Sequence, residues 1–337
     1  DTRNAQLTTF VSSLMVLDAV ERLGVDAGYV AGHSLGEYTA LAATGALEFA
    51  EGVALVAERA AAMHDAGRAH PGTMAAVLGL DDDQVDVACN LAALDVWVAN
   101  YNAPGQVVIA GSPEGVEAAS KHAKDLGAKK VMALPVSGAF HTNYMAPARD
   151  RLRAAIAAAD IRDAEIPVVS NVDAAPHDRG SEWAALLSAQ LASPVRWKHC
   201  LLKLSSLGVT DFAELGPGGV LTGMAKRTVD GARTISVATP DDLDKFIAWI
   251  AGDQAAAIGQ HEGETLFAAE RLVVSPAAGI FRPVSIEAGD LIDIGTLFGT
   301  VGEHEVRSPF RGVLQNFIAV DTERVTPRQP IAWLRTE

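Results

Sequence analysis

The chain has 337 residues, 49 % hydrophobic and 20 % charged, with a formal net charge of -15. This is a globular composition long enough for two or three domains, and its acidity argues against a nucleic-acid partner, because phosphates need clustered Lys and Arg. No apolar run reaches the ~18 residues of a membrane helix and no signal-peptide pattern opens the chain, so a cytoplasmic protein with no membrane partner is expected. Cys89 and Cys200 lie far apart, match no metal spacing, and read as free thiols of a reducing compartment.

In chain order, Leu7, Phe10, Val11, Leu14, Leu17 and Val20 recur at helical spacing, and Gly24 closes that helix. The chain begins at Asp1 inside this pattern, so a longer N-terminus is expected. "GYVAG" predicts a short strand and "SLGEYTALAATGAL" a helix starting at Ser34. From Thr73 to Val136 the segments "TMAAVLGL", "DDQVDVACNLAAL", "VWVANYNA", "QVVIAGS", "PEGVEAASKHAKDLG" and "AKKVMALPV" read as βαββαβ, the ferredoxin-like arrangement, with one sheet face buried under two helices. Strand and helix then alternate to about Ile250, predicting a mostly parallel sheet into which the small unit is inserted.

Residues 252–270 shift to Ala, Gln, Gly and Glu, as in a linker. Beyond it "VSPAAGIF" (Val274 to Phe281) recurs as "RSPFRGVL" (Arg307 to Leu314). Two such halves, each too small for a core of its own, predict one small β-sandwich or barrel over 271–337.

Chemistry centres on "GHSLG". A serine hydroxyl is a weak nucleophile until a base takes its proton. A strand–turn–helix elbow exposes Ser34 Oγ and aims the next N–H, that of Leu35, at a developing oxyanion. Gly32 and Gly36 are expected because side chains there would collide with the turn; the bland reading is a serine capping a helix. Of nine histidines, His33 adjoins the serine and should point elsewhere, while His64, His70 and His122 read as exposed. His141 follows a predicted strand, which would deliver it beside the elbow.

"GHSLGEY", "ERAAAMH", "NYNAPGQVVIAG", "GAFHT", "SNVDA", "QLASPVRW" and "ELGPGGVLTGM" occur in the order and spacing of malonyl-CoA:acyl-carrier-protein transacylases, which the chain resembles from about Asn4 to Ile250. The resemblance implies an α/β fold. An α/β-hydrolase-like acyltransferase core over 1–71 and 137–251 would carry an inserted ferredoxin-like subdomain over 72–136. It implies Ser34 as nucleophile and His141 as its base. The main-chain carbonyl of Gln190 would stand in for the usual aspartate, since a carbonyl can also accept the Nδ1 proton and set the tautomer.

The same resemblance implies that Arg59 binds the malonyl carboxylate, with Met63 lining the pocket. A guanidinium fork suits a carboxylate bidentately; the alternative is a surface arginine lying along its helix. Phe140 stands where, in related polyketide acyltransferases, Phe accompanies malonyl and Ser the branched methylmalonyl; core filling is the other reading. Asn102 and Gly105 would face the cleft. The implied partners are malonyl-CoA and an acyl carrier protein, with no cofactor and no metal.

Two departures stand out. The family's upstream Gly-Gln-Gly-Ser-Gln loop, source of a second oxyanion donor, has no counterpart in this sequence, so a fragment of a longer protein is expected; a chain truly starting at Asp1 should have little activity. The tail, 271–337, resembles biotinyl/lipoyl-like flattened barrels, but its central joint "GTVGEHEVRSP" has no lysine and the last lysine of the chain is Lys245. It should therefore be unmodified. Glu303, His304 and Glu305 read as a solvated tip rather than a metal site. The rivals are a serine thioesterase or esterase, which would need an acidic third member and no Arg59, and a non-catalytic scaffold.

Overall fold

A computed structural model describes residues 2–136, 138–258, 270–327 and 329–335. The first apolar repeat folds as the helix Thr2–Glu21, and the chain reverses where Gly24 takes φ 72°, a left-handed conformation that suits glycine. Phe10 of this helix is fully buried among Leu41, Leu55, Met145, Leu152, Trp183 and Leu187. Those residues come from the helices Gly36–Ala43, Phe49–Ala69, Ala146–Ala158 and Gly180–Gln190 and the short turn Asn143–Met145. The chain divides into two units, Asp1–Ile250 and Ala251–Glu337.

The alternating segments of the first unit do pair in parallel, but in short ladders. Val30–Ala31 runs parallel to Val168–Val169, which pairs antiparallel with Pro176–His177; Asp211–Leu215 runs parallel to Arg233–Val237. The first ladder stops early because its ends turn to other partners: Ser34 N–H donates to the Asn171 side chain and Asn171 N–H to Glu37. Backbone groups used this way cannot extend a ladder.

Residues 73–133 form the expected βαββαβ order. The strands Thr73–Leu78, Val96–Ala103, Gln106–Gly111 and Lys130–Ala133 make one antiparallel sheet in the spatial order second, third, first, fourth. The helices Asp82–Ala92 and Pro113–Asp125 cover one face through Val85, Ala88, Cys89, Val116 and Ala119. The other face is also buried, unlike the one-sided burial expected. Met74, Ala76, Ala99, Val108 and Ala110 pack against Ala139 and Phe140, so the sheet backs the segment that carries His141. Ser137, at the expected domain boundary, lies outside the described residues.

The helix Pro240–Ile258 continues across the first residues of the segment read as a linker, where alanine and glutamine favour helix. Residues 259–269 of that segment lie outside the described residues.

The second unit is all β. One sheet orders Glu270–Val274, Pro330–Arg335, Gly312–Phe317 and Leu291–Ile292; the other orders His304–Arg307, Leu297–Val301, Gly279–Pro283 and Arg324–Val325. The repeat is structural as well as sequential. Phe281 N–H donates to Glu323 O at 2.8 Å, and one repeat later Leu314 N–H donates to Asp290 O at 2.9 Å. Ser275 and Ser308 are both buried and donate to Ala277 O and Phe310 O at 2.7 and 2.8 Å. Both halves supply one core, with Phe281, Phe298 and Val301 against Leu314, Ile331 and Leu334.

Candidate active site

Val30–Ala31 leads into a turn in which Ser34 has φ 53°, and the helix begins two residues later than expected, at Gly36. A non-glycine residue in this region is strained and is held there by its surroundings. Gly32 makes the turn possible: a Cβ there would lie 1.9 Å from the Gly36 carbonyl carbon and oxygen. Gly36 itself does not need to be glycine for space, since a Cβ on it meets nothing within 4 Å. The expected collision is thus one-sided, because only Gly32 points inward.

Ser34 Oγ lies 2.8 Å from His141 Nε2, and His141 Nδ1 lies 3.0 Å from the main-chain oxygen of Gln190. A carbonyl only accepts, so the Nδ1 proton is donated to Gln190 and Nε2 is left free to accept from the serine. His141 also takes a left-handed φ, 61°, in the loop between the small sheet's last strand and the helix Ala146–Ala158. Burial, reinforced by the Arg59 guanidinium, pushes the His141 imidazole down to about 3, so it rests neutral. Gly36, Glu37 and Tyr38 N–H donate back to His33, Ser34 and Leu35 O. Leu35 immediately precedes the helix Gly36–Ala43, at φ -56° and ψ -38°.

Arg59 is buried, 1 % exposed, on the helix Phe49–Ala69. It is therefore not the surface arginine of the alternative reading. Its Nη2 donates to Ser34 Oγ at 2.9 Å and to Gln190 Oε1 at 3.2 Å, and its Nη1 to Gln6 Oε1 at 2.5 Å. The guanidinium lies 5.5 Å from the centre of the Tyr38 ring. Its Nε has no partner among the described residues. Burial lowers its affinity for the proton, and Tyr38 and Glu37 offset part of that.

The other expected residues divide. Met63 is buried beside Gln6, whose amide donates to its sulfur at 3.6 Å. Phe140 is partly buried between two core clusters. Asn102 is buried and bonded through Oδ1 to His33 Nε2 at 2.9 Å, and His33 stacks edge-on against Trp197. Gly105 serves as the hairpin turn between the second and third strands of the small sheet, at φ 66°. In the tail, Glu303, His304 and Glu305 are exposed at the hairpin between its two halves. Cys89 and Cys200 are buried free thiols, both pushed up by burial.

Three residues of the site were not legible as such: Gln6, Glu37 and Asn171. Glu37 and Asn171 lie inside motifs already conspicuous, "GHSLGEY" and "SNVDA", which was the available signal. Gln6 has none, being one polar residue on an amphipathic helix.

Residues 1–241 match the acyl transferase domain family. The chain is 42 % identical over 253 residues to the malonyl CoA-acyl carrier protein transacylase of Bacillus subtilis, covering 73 % of this chain and 78 % of that protein. The Synechocystis transacylase of the same name is 39 % identical over 245 residues, 73 % of this chain and 81 % of that one. The chain belongs to the malonyl-CoA:acyl-carrier-protein transacylases. A solved acyl-carrier-protein S-malonyltransferase from Burkholderia pseudomallei superposes with a TM-score of 0.71 at 42 % identity, covering 73 % of this chain and 81 % of that one. A malonyl-transacylase solved in complex with its type II polyketide acyl-carrier protein gives 0.70 at 35 % identity, over 72 % and 80 % of the two chains. The family match ends before the β tail, which is an addition to the transacylase unit.

Proposed function

We infer that this transacylase moves a malonyl group from malonyl-CoA to the phosphopantetheine thiol of an acyl carrier protein, in fatty-acid or polyketide synthesis. The observation that carries the substrate choice is Arg59: a buried guanidinium without a carboxylate, bonded directly to the serine oxygen. A free malonyl carboxylate is the partner it lacks.

Ser34 Oγ attacks the thioester carbonyl while its proton passes to His141 Nε2. The Leu35 N–H donates to the developing oxyanion, and Gln190 O accepts from Nδ1 of the imidazolium that forms. The carbon–sulfur bond breaks, coenzyme A leaves with the proton from His141, and malonyl remains as an ester on Ser34. The carrier thiol then repeats the sequence in reverse, its proton passing through His141 as it takes the acyl group. Splitting the exchange into two steps lets one site serve both thiols. The carbonyl in third position, rather than a carboxylate on Nδ1, favours this reading over a hydrolase of the esterase type. No cofactor enters these steps.

The fold supports a finer description: an α/β-hydrolase-like core over 1–71 and 137–251 with a ferredoxin-like unit over 72–136, in a cytoplasmic enzyme. The strand order second, third, first, fourth is that of ferredoxin-like sheets. For the tail we take a biotinyl/lipoyl-like flattened barrel, supported by two four-stranded sheets built from a repeated half. The hairpin joining the halves turns at Gly302 and Glu303, where a guanidinium-only tail has no amine to acylate. Mass spectrometry of the protein after malonyl-CoA tests the reaction. A malonyl adduct on Ser34, absent in Ser34→Ala and discharged by holo carrier protein, is expected; an unmodified Ser34 would refute it.

A further inference from the structure

Ser34 is enclosed by a closed ring of buried hydrogen bonds that neither the base nor the substrate uses. Glu37, 0 % exposed, accepts from Asn171 N–H at 2.7 Å through Oε1 and from Gln190 Nε2 at 2.5 Å through Oε2. Asn171 Oδ1 accepts the Ser34 N–H at 2.7 Å, and its amide donates to Gly32 O at 2.8 Å. Gln190 Nε2 also donates to Ser34 O at 2.8 Å, which closes the circuit. Both main-chain groups of the strained serine are therefore held by side chains. One carboxylate in turn holds the Gln190 side chain and the main-chain N–H of Asn171.

The direction of the Gln190 amide follows from charge. Arg59 can only donate, so it takes Oε1; ionised, the Glu37 carboxylate only accepts, so it takes Nε2. Gln190 thus bridges the Glu37 carboxylate and the Arg59 guanidinium, and its main-chain carbonyl orients His141. A carboxylate that in other serine enzymes touches the imidazole here stands one residue further out.

We propose that Glu37 is a positioning residue for acyl transfer, acting through Gln190 and Asn171 to hold both the Ser34 turn and the carbonyl that orients His141. It rests on the reading of Ser34 as nucleophile and His141 as base. Its carboxylate touches neither substrate nor reacting atom. An amide in its place must turn one N–H against another donor, so Glu37→Gln breaks the ring at one bond while keeping the volume. Loss of a hydrogen bond to a charged group in a buried network amounts to about 10- to 100-fold.

The test is the rate at which a fluorophosphonate probe labels Ser34 in the full chain, a readout independent of the acyl donor. Wild type, Glu37→Gln, Gln190→Ala and the double variant are compared, with melting curves to establish folding. Glu37→Gln should label about 10- to 100-fold more slowly in the wild-type background. In the Gln190→Ala background the same change should cost less than about 3-fold, because neighbours acting through one another are not additive. Equal penalties in the two backgrounds, or wild-type labelling by a folded Glu37→Gln, would overturn the proposal. A general packing role would give the first of these. Should Glu37→Gln not fold, Glu37→Asp keeps the charge at shorter reach and is read in the same two backgrounds. A wild-type protein that labels but transfers no malonyl refutes the transacylase reading and leaves this inference to the cycle alone.

Discussion

Replacing Arg59 by alanine is the sharpest test of substrate choice. The guanidinium is 1 % exposed, so water and salt do little to screen it, and Glu37 reaches it only through Gln190 rather than as a direct ion pair. Two unit charges about 4 Å apart at an effective dielectric of 20 attract by about 4 kcal/mol. Removing water from the malonyl carboxylate offsets part of this, leaving an expected loss of roughly 10²- to 10³-fold in kcat/KM for malonyl-CoA. Acetyl-CoA has no carboxylate and never makes that contact. Its transfer should change by less than about 10-fold, the allowance for losing one hydrogen bond from Arg59 Nη2 to Ser34 Oγ. The assay is the ratio of the two kcat/KM values, read as acyl-Ser34 formation in wild type and Arg59→Ala. An unchanged ratio would refute the reasoning, whatever the absolute rates. Arg59→Lys should restore little, since a single ammonium cannot span Ser34, Gln190 and Gln6 as the fork does.

Gly32→Ala should abolish Ser34 labelling or soluble expression, because the new Cβ meets backbone at 1.9 Å, whereas Gly36→Ala should fold and label, its Cβ meeting nothing within 4 Å. Phe140→Ser should raise the methylmalonyl-to-malonyl transfer ratio by about 10-fold, measured by competition, the scale of one methyl group in a pocket; no change would leave Phe140 as core packing. Stability against pH should expose Glu37, which burial pushes up to about 7 and whose hydrogen bonds and Arg59 pull it down. A raised carboxyl adds stability that is complete below its ordinary value and lost as pH rises through 7. His141, held down at about 3, adds stability that is complete above its ordinary 6.5 and lost as pH falls. Between pH 7 and 5 the two run in opposite directions by about 2–3 kcal/mol each, so Glu37→Gln should lose that much more stability than wild type across the interval; parallel denaturation midpoints would refute it. Intact-mass measurement should find neither biotin nor lipoate on the tail.

Much of this site was legible because its chemistry depends on local geometry. The serine elbow needs a strand, a small residue and a helix within a few positions, and "GYVAGHSLGEY" displays all three. The order of the inserted unit and the doubling of the tail were legible for a similar reason, since alternation and repetition are written along the chain. Which of two glycines the turn requires was not, because that depends on which face of the elbow meets the following helix.

Sequence by itself marked out the candidate residues Ser34, His141 and Arg59, and the segments that would present them. Only the tertiary structure decided what holds them. Glu37 meets Asn171 and Gln190 across more than a hundred residues of chain, and Gln6 meets Arg59 across more than fifty. In a sequence a buried Glu, Asn or Gln looks like any surface residue, since periodicity reports apolar faces and not polar partners. Their roles come from burial: away from water each donor and acceptor must find a partner, and here the partners converge on one strained serine.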